Sequence, residues 1–197
     1  PNRCNFCSEA KSISFHNPNV GKLADKALRR TLETISLGAE AIFFDDSIFL
    51  GGNISEIEIF CDLLEKEKYN TLTKIEGEYN SKAERLRNFE FAFQLTADKV
   101  LDIEKDNINL LARLKNVGGS YMYMGIESLS DNVLKYLHKY ASSHDSKFKS
   151  CEERIEHALD LCKKARIKVG SSILFGLPGE TEESIEYTIN GVERLIK

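Results

Sequence analysis

No apolar run in this sequence approaches the roughly 20 residues that a helix needs to cross a bilayer, so no membrane span is expected. Positive charge is also scarce: 31 acidic residues face 27 basic ones, for a net charge of −4. That balance offers no general attraction for nucleic acid, although a local basic patch is compatible with it. Internal repeats and low-complexity tracts are missing. No glycine-rich phosphate loop follows the first apolar run, which disfavours a doubly wound nucleotide-binding enzyme. Cysteine is sparse and odd in number, with Cys4, Cys7, Cys61, Cys151 and Cys162. With no signal peptide in view, the expected home is cytoplasmic, where thiols stay reduced.

What is present suits a globular protein. Apolar residues make up 42% and charged residues 29% of 197 positions, enough for one domain with a substantial core. The chain starts at Pro1 and ends in GVERLIK within a helical pattern, so a piece of a longer protein is expected. Between about Val20 and Leu37 apolar residues fall at helical spacing, closed by Gly38. AEAIFFDD reads as a short, fully buried strand, a second helix begins near Ser55, and ETEESIEYTINGVERLI, from Glu180, reads as the last helix. Strands near 41–45, 89–95, 120–126 and 168–175 alternate with helices, which implies parallel strands joined by helical crossovers. Polar insertions near 66–88 and 139–150 interrupt the rhythm. The strands then present Asp45, Asp46, Gln94, Glu127, Ser128 and the Gly176–Gly179 turn at their C-terminal ends, where parallel α/β folds place their sites.

The chemistry begins with RCNFC. Alone, Cys4 and Cys7 are weak evidence: a redox pair belongs at a helix start in a small βαβ domain, and zinc wants a second pair. Cys61 and Cys162 sit among apolar residues at helical spacing and read as buried side chains. Cys151 lies in a polar segment, and the four histidines show no ligand spacing. An iron–sulfur site remains open, and it needs at least one more ligand than this pair supplies.

PNRCNFC resembles a CxxxCxxC motif whose first cysteine would stand immediately before Pro1, the signature of radical S-adenosylmethionine (radical SAM) enzymes. Three further stretches in order strengthen the likeness: IFFDDSIF, YMGIESLSDNVLKYLHK and ILFGLPGETEESIEYTI. GIES and GLPGET resemble the branch containing methylthiotransferases, oxidative cyclases and cobalamin-dependent methylases. The resemblance implies an α/β fold, a partial TIM-type (β/α)6 barrel of which this chain holds the second to fifth strands, truncated at both ends, with residues 1–197 as the core domain. It implies a [4Fe-4S] cluster with Cys4 and Cys7 as two of three cysteine ligands and S-adenosylmethionine (SAM) on the fourth iron, as well as radical chemistry begun by reductive cleavage of SAM.

Carried over to this sequence, Phe6 stands near the adenine, and Asp45 and Asp46 face the SAM amino group. Glu127 and Ser128 lie near the ribose or the methionyl amine, and Gly176, Leu177 and Pro178 run beside adenine with glycine permitting close approach. The likeness further implies an electron donor such as flavodoxin or ferredoxin, a substrate the sequence leaves unnamed, and cobalamin in an upstream domain. Thr96 departs from the pattern by replacing an arginine, while Asp98 is retained. Open sheet edges predict association of the isolated chain. The rival expectation is a non-catalytic α/β domain whose CxxC binds zinc or serves redox.

Overall fold

The computed structural model describes Cys4, Cys7 and residues 19–73, 81–139 and 147–196. Four parallel strands lie side by side in chain order: β1 (Ala41–Phe43), β2 (Glu90–Gln94), β3 (Gly119–Glu127) and β4 (Lys168–Ile173). α1 (Lys22–Ser36) precedes β1, and α2 (Ile54–Thr73) and α3 (Ser81–Asn88) lead to β2. α4 (Ala97–Asp106) and α5 (Leu110–Asn116) lead to β3, α6 (Asp131–Tyr136) and α7 (Cys151–Lys164) to β4, and α8 (Glu182–Ile196) follows. Strand order without reversal is the arrangement of a (β/α) barrel, whereas a doubly wound sheet changes direction at a switch point. The sheet stays open, with β1 and β4 at its edges, so the expected partial barrel is what forms.

Local sequence explains the element ends. α1 buries Ala24, Leu28, Thr31 and Ile35 along one stripe. It stops where Gly38 adopts φ 104° and the amides of Gly38 and Ala39 bond back to Ile35 and Thr34. Its first turn is closed from outside: the Glu56 carboxylate of α2, 2% exposed, accepts from the amides of Gly21 and Ala24 at 2.7 and 2.8 Å. Thr96 caps α4 and Ser150 caps α7, each accepting from the amide three residues on. Thr181 and Ser184 exchange bonds at the start of α8.

Side chains alternate across the strands, and only one face meets the helices. There Phe44, Phe49, Phe60, Phe91 and Phe93 interlock at ring separations of 5.0 to 6.1 Å, mostly tilted or edge to face. Met122, Met124 and Ile126 of β3 continue this core, which also takes in Cys61 and Cys162. The opposite, inner face carries Phe43, Ala92 and Tyr121 in one register row, with Gln94, Tyr123 and Gly170 in the next.

Three expectations are corrected. β1 is not fully buried: Ala41 and Phe43 are exposed, because they point to the inner face, while Ile42 and Phe44 pack on the core. The stretch 66–88 is largely helical where described, since α2 runs on to Thr73 and α3 docks Ala83 and Leu86, with Arg85 Nε bonding the Ile35 carbonyl at the end of α1. The last helix begins at Glu182, not at Glu180, whose carboxylate instead holds the preceding turn. α4 is an addition to the sequence reading, with Val100 and Ile103 as its buried stripe. Residues 140–146 of the second insertion lie outside the described residues.

Candidate functional site

At the C-terminal end of β3 the register with β4 shifts between Gly125 and Glu127, a bulge that turns the strand end. Glu127 sits there at φ 68°, left-handed backbone that a non-glycine residue holds only when its surroundings enforce it. Its carbonyl accepts from the Leu174 amide at 2.9 Å, and its carboxylate accepts from the Ser172 hydroxyl at 2.9 Å and from Lys139 Nζ at 3.3 Å. The carboxylate folds back over its own strand: a Cβ on Gly125 would stand 2.5 Å from Oε1 and 3.4 Å from Lys139 Nζ. Glycine at 125 is therefore what lets this ion pair lie on the inner face. The pair is nearly closed to water, with side-chain exposures of 8% for Lys139 and 9% for Glu127.

The two leading cysteines are joined to each other through the backbone. The Cys7 amide bonds the Cys4 carbonyl at 3.1 Å, with Cys4 buried and Cys7 half-buried. Burial pushes the Cys4 thiol up from its ordinary value; Lys139 pulls it back, while Cys7 and Glu127 add to the rise. A thiolate is the form that ligates a metal, and binding one releases the thiol proton to solvent. Two soft sulfur donors in one turn fit a thiolate-held iron–sulfur cluster as part of its ligand set. Among the described residues no group of three Cys, His, Asp or Glu side chains is placed to hold a metal ion.

The remaining residues of interest divide. Asp45 and Asp46 are exposed at the end of β1, and Asp46 Oδ2 accepts from the Leu50 amide at 3.4 Å. Gln94 is half-buried on the inner face. Ser128 is fully buried; its hydroxyl shares a 3.1 Å bond with Thr188 of α8 and accepts from the Ser130 amide. Gly176, at φ 77°, and Leu177 turn around Glu180, which accepts from both amides at 2.6 and 3.1 Å, and Pro178 is exposed on the same turn. Phe6 lies outside the described residues. Thr96 serves as a helix cap, and Asp98 accepts from the buried Arg154 of α7 at 3.3 Å. Burial pushes Asp98 up against the opposing pull of Arg154.

Sequence reasoning missed Lys139, Ser172 and Gly125. Lys139 falls at the mouth of a polar insertion, and nothing local marks it as buried; Gly125 inside the GIES stretch was the one available signal.

No curated protein matches the chain. Among solved structures, the cobalamin-dependent S-adenosylmethionine radical enzyme OxsB is similar with TM-score 0.68 and 18% identity, covering 98% of this chain and 25% of that one. The radical S-adenosylmethionine methyltransferase TsrM from Kitasatospora setae gives 0.61 and 16%, over 88% and 28%. Coproporphyrinogen III oxidase (HemN) from Escherichia coli, a radical SAM enzyme, gives 0.55 and 16%, over 91% and 36%. The chain spans between 25% and 36% of the length of these structures, and at such identities the likeness is one of fold. The radical SAM superfamily model matches residues 1–191, through both cysteines, the Glu127 edge and the Gly176 turn. The chain belongs to the radical SAM superfamily.

Proposed function

We propose that residues 1–197 act as a radical SAM core domain that starts radical chemistry on a substrate lodged against the inner face of the sheet. The observation that carries this reading is the radical SAM family match over residues 1–191, which takes in the Cys4–Cys7 pair, joined by one backbone bond, and the buried Glu127–Lys139 pair at the end of β3. When bound, the family's [4Fe-4S] cluster and SAM supply a one-electron reductive cleavage of the sulfonium. In this reading Cys4 and Cys7 hold two irons, and a third ligand comes from outside the described residues. Glu127, fixed by Ser172 and Lys139, accepts from the ribose hydroxyls or the methionyl amine. Asp45 and Asp46 offer carboxylates to the amino group from the end of β1. Gly176, Leu177 and Pro178 form a wall for adenine whose shape Glu180 maintains. The family resemblance assigns Phe6 to the adenine as well, and the Ser128 hydroxyl secures the strand end to α8.

A low-potential donor such as flavodoxin or ferredoxin delivers the electron. A cobalamin-binding domain belongs to the reading through the fold's likeness to two cobalamin enzymes. The test is anaerobic reconstitution of the protein expressed from its natural gene, followed by assay of iron, sulfide and 5′-deoxyadenosine. The expected result is a [4Fe-4S] spectrum and deoxyadenosine formation, both abolished by Cys4→Ala or Cys7→Ala. A protein that takes up zinc alone and forms no deoxyadenosine overturns it.

A further inference from the structure

We propose that Thr188 of α8 is a positioning residue for Glu127: its hydroxyl locks the turn that presents this carboxylate and so sets the affinity for SAM; this inference rests on the function proposed above. Glu127 takes φ 68° while the Ser128 amide bonds the Ile126 carbonyl at 2.9 Å, a three-residue γ-turn in its rare positive-φ form. Such backbone persists only where neighbouring groups enforce it. On the entry side β4 does so, through the Leu174 amide on the Glu127 carbonyl and the Ser172 hydroxyl on its carboxylate. On the exit side the anchor is Thr188.

Thr188 is 1% exposed, and its hydroxyl uses its whole bonding capacity. It donates to the Ser184 carbonyl one helical turn back at 2.9 Å, which leaves both acceptor positions for the strand end. The Leu129 amide takes one at 3.2 Å and the Ser128 hydroxyl the other at 3.1 Å. The Ser128 oxygen in turn accepts from the Ser130 amide at 3.2 Å, so one chain of bonds from α8 fixes all three residues that follow Glu127. The packing around this chain is close. Leu129, 1% exposed, lies against Gly191 one turn further along α8, where an added Cβ would fall on its side chain. Glu152 of α7 holds α8 beside that contact through Tyr187 and Arg194. Without the Thr188 hydroxyl the buried Leu129 amide and the Ser128 proton lose their acceptor, and a bare buried donor is costly enough to make the turn relax. Relaxation out of left-handed backbone carries the Glu127 carboxylate away from its place on the inner face.

The experiment measures SAM binding by equilibrium dialysis on the reconstituted protein from its natural gene, with iron and sulfide contents as the check on assembly. Thr188→Val keeps the shape and removes the hydroxyl, and its SAM dissociation constant is expected to rise about tenfold, as for a stranded buried donor. Ser128→Ala cuts the same chain from its other side and should act alike. Thr188→Ser, which keeps the hydroxyl, should stay within about twofold of wild type. So should Tyr187→Phe, which loosens α8 from Glu152 without touching the turn. In the E127A/K139M background, which has no carboxylate to position and no stranded ammonium, adding T188V should change the affinity by less than about twofold. Three results overturn the proposal while leaving the radical SAM reading, judged by cluster and deoxyadenosine, intact. They are Thr188→Val within about twofold of wild type, Thr188→Ser or Tyr187→Phe losing as much as Thr188→Val, and an undiminished effect of T188V in the E127A/K139M background. A wild type that forms no [4Fe-4S] signal and no deoxyadenosine overturns both.

Discussion

On the helix-covered face of the sheet, Phe91, Phe93, Met122 and Met124 are sealed from solvent, while across the same strands Phe43 keeps 49% and Tyr121 36% of its surface exposed. Composition does not separate the two faces, since both carry aromatic and aliphatic side chains. Cover does. The helices make one face a close-packed solid in which every ring is held by several others. The other face carries glycines at 125 and 170 and the buried Glu127–Lys139 ion pair. The first face holds the fold together, and the second leaves side chains open to solvent.

The largest effect that tests this division is the loss of a ring from each side. Phe93→Ala should cost about 3–5 kcal/mol in denaturant unfolding, the usual range for a buried phenylalanine. Tyr121→Ala should cost less than half of that. Equal losses would mean that the inner face is packed as tightly as the outer one. A smaller effect comes from Gly170, where an added Cβ would fall against the Tyr121 phenol and its ring. Gly170→Ala should cost about 1–3 kcal/mol through overpacking, and the double variant with Tyr121→Ala should recover most of it. Absence of that recovery would place the strain elsewhere.

The smallest effect lies on the helix layer. Partial burial pushes Glu104 up, but its bonds with His157 and Lys147 outweigh this and hold its carboxyl below the usual value of 4.5. A carboxyl held low stabilises the fold above its unfolded value, and that contribution fades as pH falls through the lowered value. Glu104→Gln should therefore cost about 1 kcal/mol or less near pH 6 to 7 and nothing near pH 2 to 3. A cost that persists in acid would show that the bond geometry, not the charge, matters there.

Much of this molecule was legible in its residues. Alternation of apolar runs with helical stripes gave the four parallel strands, and the cysteine pair with GIES and GLPGET pointed to the family. The second half of the stripe was harder. α3 hides among charged residues because Ala83 and Leu86 are its buried apolar side chains among the described ones, and α4 is capped by Thr96, which drew notice for the arginine it replaces rather than for the cap it provides. Glu180 looked like the first acid of a helix and proved to be the clamp of the turn before it.

The sequence by itself determined the period of each element, the parallel strands with helical crossovers, and the thiol donors, because those properties are local or follow from chain connectivity. Tertiary structure alone decided that β1 would be half exposed, that a bulge would turn Glu127 inward, and that Lys139 would be buried beside it. Those outcomes depend on which face the helices cover and on where a charge leaves water. Neither is encoded at any single position of the chain.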